Sequence, residues 1–196
     1  MNVSLLFPPT WHPSQPYLSL PSLTGFLQQG GISNVSQRDL GIELLDGMLT
    51  RSYGARVYEQ LRDKQKELER TQSGVSGHGS REHYEKVTDS LDRFSYLLDR
   101  VELAKETLRG EGFYDLDAYR ASLFMIDKWL ELVSSVYFPT RLTVVDNQFS
   151  NYSIYSSKDL MKVVSDEAQN PYRSLLRELF IPSIVNGSPD LIGVSI

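Results

Sequence analysis

The residues of this chain that could do chemistry are few, and their spacing excludes more than it offers. The histidines are His12, His78 and His83, and no two of them share a metal-ligand spacing. His78 lies in "SGVSGHGS", which reads as a flexible linker, and His83 begins a helix, so both read as solvated. Cysteine is absent. Disulfides, thiolate-held zinc, iron–sulfur clusters held by this chain alone and a thiol nucleophile are therefore excluded. The carboxylate pairs Asp89 with Asp92 and Glu43 with Asp46 fall on helical patterns, where such pairs form a solvated face. No catalytic residue and no metal ligand is assigned.

The densest information sits in "NVSLLFPPTWHPSQPYLSLPSLTGFLQQGG", residues 2–31, where Pro8, Pro9, Pro13, Pro16 and Pro21 punctuate an apolar sequence. Proline fixes φ, removes a backbone donor and biases its predecessor away from helix. A loop built this way is stiff. Little entropy is then lost when a ligand orders it, so a strand-to-helix loop of this kind suits a binding platform.

The elements that must hold that loop follow from periodicity. Residues 2–7 are a short apolar run ended by Pro8, the pattern of a strand buried on both faces. Leu20, Leu23, Phe26 and Leu27 recur at helical spacing over about 18–29, with Pro21 in the first turn and Gly30 and Gly31 as the stop. Residues 32–38 are weakly strand-like and end on Asp39 and Leu40. Strand, loop, helix, Gly-Gly, strand is the opening of a parallel α/β sheet.

From Gly41 to Tyr137 the pattern is mostly helical. One seam runs through Tyr84, Val87, Leu91, Phe94, Leu98, Val101 and Leu108. A second runs through Leu116, Tyr119, Leu123, Ile126, Leu130, Val133 and Tyr137. With a helix near 53–70 they predict a helical hairpin or small bundle. Residues 138–157 are β-branched and aromatic, extended or a loose hairpin, before a short helix capped by Ser156 or Ser157. Leu175, Leu176, Leu179, Phe180 and Ile184 predict an inward face on a helix over 171–185. The run "DLIGVSI" reads as a buried parallel strand. A domain seldom stops on such a strand, which predicts that the chain is the front part of a longer protein. Expected divisions are 1–40 for the start of the α/β domain, 41–137 for a helical insertion, and 138–196 for the return to the α/β domain, truncated at its last strand.

Composition restricts the partners. Over 196 residues the net charge is −5, with no basic stripe, which argues against nucleic acid. No apolar run reaches the roughly 18 residues of a membrane helix, and "MNVSLLFPP" has no basic leader region, so no membrane is expected and a cytoplasmic location follows.

Three segments carry a family resemblance. The run "LLFPPTWHPSQPYLSLPSLTGFLQQGG" resembles the opening of cobalamin-binding radical S-adenosylmethionine proteins: a strand, a Pro-Pro loop, and a Pro-x-Leu-x-x-Leu helix ending in glycine. "PDLIGVSI" is similar to their Pro-Asp-hydrophobic-hydrophobic-Gly-hydrophobic-Ser strand, and "FPTRLTVVDNQFSNYSIYSSKDLMKVV" resembles a connecting region in a subgroup with a helical insertion. Together they cover about the first 40 and last 60 residues. The resemblance implies a flavodoxin- or Rossmann-like parallel sheet, incomplete in this chain, that holds a corrinoid at the carboxyl ends of its strands. It implies that Pro8, Pro9, Thr10, Trp11, Ser14, Gln15 and Pro16 line the cobalamin and that Gly193 and Ser195 approach it, with Asp39 and Leu40 a weaker match. The partners implied are the corrinoid and a downstream radical SAM domain of the same polypeptide.

Two departures qualify it. The Asp-x-His-x-x-Gly motif that ligates cobalt from below is absent, and His12 lies in the corresponding loop without that Asp or Gly, where it reads as a surface or loop-packing residue. The Cys-x-x-x-Cys-x-x-Cys motif is also absent, so the 4Fe-4S cluster and S-adenosylmethionine belong to a downstream region, and this chain alone is expected to be inactive. The implied function is the cobalamin-binding portion of a radical SAM enzyme, for methyl transfer or for peptide or natural-product modification. The competing readings are a non-catalytic helical interaction module on an α/β scaffold and a flavodoxin-like nucleotide binder. Against the last, the first loop has no glycine-rich cradle and its prolines remove backbone donors.

Overall fold

A computed structural model describes residues 1–9, 17–72, 78–145 and 147–195. The chain is α/β and divides into two compact units, Met1–Gly47 with Pro171–Ile196, and Met48–Asn170. These boundaries fall after Gly47 and Asn170 rather than after residues 40 and 137. Side-chain bonds explain the second of them. Segment 138–170 is tied to the helix before it because the Ser134 hydroxyl accepts from Leu142 N at 2.8 Å, and it is closed on itself where Thr140 Oγ1 donates to the Gln169 carbonyl at 2.8 Å.

The first unit is built on three parallel strands. Strand β1 (Val3–Phe7) is central, β2 (Val35–Asp39) pairs on one side in the register Val3↔Val35, and β5 (Leu191–Val194) pairs on the other in the register Val3↔Leu191. Every residue of β1 is buried, as the unbroken apolar run predicts. Helix α1 (Ser19–Gln29) follows β1 and covers one sheet face, where Val3, Leu5, Phe7 and Leu20 form a core. Pro21 sits in its first turn, and the helix ends on Gly30, followed by Gly31 at φ +88°, a backbone conformation that favours glycine. On the other face Leu6, Leu40 and Ile184 pack together with Leu176 and Phe180.

The sheet's C-terminal helical run differs from the expected single stripe. Helix α7 (Pro171–Leu175) leads through a π-type turn at Leu176–Phe180 into α8 (Ile181–Asn186). The wider turn rotates the stripe, so Leu175 and Ile184 are buried while Leu179 is 51% exposed. Strand β5 is parallel, as its apolar run predicts, but Leu191, Ile192 and Val194 are exposed and not buried, because β5 is an edge of this sheet.

The second unit contains α3 (Arg51–Gln72), α4 (His78–Arg109), α5 (Leu116–Val136) and α6 (Ser157–Ser165), with a two-residue antiparallel pair, β3 (Arg141–Leu142) and β4 (Asn147–Gln148), between the last two helices. A further helix, α2 (Leu40–Met48), links β2 to α3. The Asp115 carboxylate caps α5 by accepting from Asp117 N and Ala118 N, and Ser156 caps α6 by accepting from Asp159 N. Ile126, Leu130 and Val133 on α5 and Tyr137 just after it are buried as predicted, while Tyr119 and Leu123 are half-buried and Leu116 at its start is exposed. The buried line of α4 is Val87, Ser90, Phe94, Leu97, Val101 and Ala104, so Leu91, Leu98 and Leu108 flank the seam half-buried instead of filling it. Small residues explain the rotation: Ser90 bonds the Ser135 hydroxyl of α5 at 2.8 Å, and such contact needs the short side chains on the closest line.

His83 is not a solvated residue. Its Nε2 lies 2.8 Å from the Ser135 carbonyl, and its ring stacks on Phe138 at 4.7 Å. Burial is the main cause that pushes its pKa below the ordinary value; Lys64 and Lys86 add to this, while the Ser135 carbonyl and Glu67 oppose it. The folded chain therefore favours the neutral ring. Stability from this contact is fully present above the unfolded histidine pKa of about 6.5 and is lost as pH falls below it toward the folded pKa. A His83→Gln variant is expected to show a flatter melting temperature between pH 7.5 and 5.5 than the unaltered chain. Parallel pH profiles would show that His83 does not carry the dependence.

Candidate functional site

The strand order singles out one edge of the sheet before any residue is considered. From β1 the chain winds to β2 on one side, and β5 takes the other side, so the winding direction reverses at β1. Open parallel sheets bind ligands at such a reversal, beyond the carboxyl ends of the strands. What lies there is Phe7, Pro8 and Pro9 at the end of β1, the first turn of α1, and Ser195 at the end of β5.

Those groups make an apolar wall with one hydroxyl pair. Phe7 is buried, and Tyr17 stacks on it with ring centroids 4.2 Å apart and planes 25° apart. Pro8, Pro9 and Tyr17 are half-buried and Leu18 is 73% exposed. Ser195 N donates to the Leu6 carbonyl at 2.9 Å, continuing the β1–β5 ladder by one residue. Its side chain lies 2.7 Å from the Ser19 hydroxyl. This bond joins the end of β5 to the start of α1. The N-cap position of α1, Leu18, supplies no side-chain cap, and Pro21 removes one first-turn donor.

Of the residues singled out from sequence, Pro8, Pro9 and Ser195 meet at this edge. Thr10, Trp11, His12, Ser14, Gln15 and Pro16 lie outside the described residues. Gly193 has a packing reason for its size: a Cβ there would stand 2.9 Å from Leu5 Cδ2, under the face covered by α1. Asp39 accepts from Gly41 N at 2.9 Å and Ile42 N at 3.1 Å, which spends its Oδ1 on the start of α2. Glu43 does not belong to a solvated face. It accepts from Arg38 Nε at 3.0 Å and also from Nη2, and this hydrogen bonding holds the guanidinium pKa above its ordinary value. Tyr17 and Ser19 were not singled out, although Ser19 stands two residues before the proline that marks the helix start.

The described lining consists of Phe7 and Tyr17, two prolines, Leu18 and a hydroxyl pair. A nucleotide would ask for glycine-rich backbone donors or a cation, and no such group lies at the described end of β1. Among the described residues no cluster of three histidine or acidic side chains could hold a metal ion, and no helix is long and apolar enough to cross a membrane. No family model matches the chain, nor does any curated protein or solved structure.

Proposed function

We propose that the sheet unit is a flavodoxin-like, cobalamin-binding portion of a B12-dependent radical S-adenosylmethionine enzyme. One observation supports the reading: in the order β2-β1-β5, Pro8 and Pro9 after β1 and the Ser195 end of β5 lie at the same topological reversal. The Pro-Pro loop and the Pro-Asp-Leu-Ile-Gly-Val-Ser strand, which carry the family resemblance, are the two segments that meet there. The apolar and hydroxyl lining supports a corrinoid over a phosphate ligand. When bound, the corrinoid supplies methyl-group relay or radical-partner chemistry. This chain's residues contribute a stiff wall in Pro8 and Pro9, apolar contact through Tyr17 and Leu18, and a hydroxyl pair in Ser19 and Ser195. The cluster and S-adenosylmethionine are assigned to a domain carrying the three-cysteine motif.

Equilibrium dialysis against hydroxocobalamin, read by corrinoid absorbance, tests the reading. The chain is expected to retain cobalamin, and Leu18→Glu is expected to weaken retention because a carboxylate then faces the apolar body. ATP and flavin mononucleotide should leave the melting temperature unchanged. Failure to retain cobalamin, or stabilisation by either nucleotide instead, would overturn the corrinoid assignment.

A further inference from the structure

We propose that a polar cavity on the sheet face turned away from α1 binds a small uncharged polyhydroxylated molecule, the size of one sugar ring. The cavity measures about 310 Å³ and is lined by residues of β1, β2, α8 and the turns beside them. None of its lining residues belongs to the edge assigned to the corrinoid, and the inference stands without that reading. A strand buried on both faces normally takes apolar side chains throughout. On this face Leu6 conforms, packing with Leu40 and Ile184. Ser4, two residues earlier on the same face, does not. It pairs in register with Ser36, just as Leu6 pairs with Arg38, so the cavity wall carries two hydroxyls and a guanidinium on neighbouring strands. Ser4 is only 6% exposed, and its hydroxyl makes no hydrogen bond to another described residue. A buried hydroxyl calls for a partner, and the cavity it lines has room for one.

The lining selects the class of ligand. Arg38 is the one charged residue among those that line the cavity, and its charge is already matched. Its Nε donates to Glu43 at 3.0 Å, and its Nη1 donates to Ser183 Oγ. An anion would compete with a carboxylate that already holds the guanidinium, in a part-buried place where unmatched charge is costly. The remaining polar walls are neutral: the hydroxyls of Ser4, Ser36 and Ser183 and the carboxamides of Asn2 and Asn34. Hydroxyls and carboxamides both donate and accept. They complement ligand groups that do the same, as sugar hydroxyls do. Ile184 and Pro189 offer apolar surface to the C–H groups of a ring. The walls are also held before any ligand arrives. Asn34 Nδ2 donates to Asn2 Oδ1 at 2.6 Å, and Ser183 Oγ donates to the Phe180 carbonyl at 3.1 Å. The volume stands at the lower end of the range for small-molecule sites, which suits a single ring.

The test is a titration of the isotope-labelled chain with D-glucose, with D-ribose and, as a charged probe, with sodium acetate, read by amide chemical shifts. At least one of the two sugars is expected to shift the amides of Ser4, Ser36 and Arg38 saturably. The dissociation constant should be on the order of 1 mM, the scale for so small a ligand. Acetate should give no saturable shift. Ser4→Ala is expected to weaken sugar binding about 3- to 10-fold, the scale of one neutral hydrogen bond. Ser4→Val, whose methyl groups also fill part of the cavity, should weaken it further and leave the chain folded, because valine suits a buried strand. No saturable shift with either sugar would overturn the site. Saturable shifts with acetate would overturn the uncharged class. Sugar shifts that persist unchanged in both Ser4 variants would place the sugar outside this cavity and overturn the proposal as well.

Discussion

Truncating Trp129 to alanine is expected to cost the helical unit about 3–5 kcal/mol, the usual range for emptying a large aromatic site in a core. The indole is completely buried on α5, and its ring lies 5.9 Å from that of Phe94 on α4. Its Nε1 donates to the Met48 carbonyl at 2.8 Å, which satisfies a backbone acceptor inside the protein. Truncation therefore loses apolar contact and also leaves that carbonyl unpaired. The same ring explains Gly54 on α3: a Cβ there would stand 2.4 Å from Leu98 Cδ1 and 3.1 Å from Trp129 Cη2. Leu98 can swing its methyl away, but the packed indole cannot, so Gly54→Ala should cost about 1–3 kcal/mol. In the double variant the alanine methyl occupies part of the vacated space, so the double variant should cost less than the sum of the two single costs. Urea unfolding followed by circular dichroism measures all three. A Trp129→Ala change below about 1 kcal/mol would mean that the indole does not fill this core.

Trp129 also shows where sequence reading stops. The three-four repeat places Ile126, Leu130 and Val133 inward, and the structure buries all three. A repeat of that kind describes one stripe. Helix α5 is buried over much of its circumference near its C-terminus, because α3, α4 and the segment after Tyr137 all pack on it, so Trp129, Leu132 and Val136 go inward too. Nothing local in the sequence reports how many neighbours a helix has. On α4 the closest line is set by Ser90 and Ala104, residues that a hydrophobic count ignores. His83 illustrates the same limit, since its partners Ser135 and Phe138 are more than fifty residues away.

The elements of the sheet were legible because their signals are local. An unbroken apolar run, a proline stop, a proline in a helix's first turn and a glycine at its end each act within a few residues. Their pairing order was not local, and it is the order that brings Pro8, Pro9 and Ser195 to one edge. Pro8, Pro9 and Ser195 were legible by resemblance, whereas Ser19 acquires its meaning from a bond across 176 residues. The two sheet edges differ in a way that composition alone does disclose. Strand β2 reads Val-Ser-Gln-Arg-Asp, and charges blunt an edge against unwanted pairing. Strand β5 reads Leu-Ile-Gly-Val and has no such protection.

That contrast leads to the other large expected effect. Leu5 and Val194 are both apolar residues of the same parallel sheet, but Leu5 is 5% exposed on the central strand and Val194 is 59% exposed on the edge. Aspartate at Leu5 would place a carboxylate in the apolar cluster of Val3, Phe7 and Leu20. The charge must be neutralised or the core opened, so Leu5→Asp is expected to cost about 4 kcal/mol or more and to unfold the sheet unit. Lysine at Val194 keeps its ammonium in water and its stem along the strand, and should change stability by no more than about 0.5 kcal/mol. It should also reduce self-association at high protein concentration, because an edge lysine opposes strand addition. Paired urea denaturation and sedimentation velocity of the two variants read both effects. Equal stability losses at the two positions would show that β5 is covered like β1, and unchanged self-association in Val194→Lys would show that the exposed edge is not where copies of the chain meet.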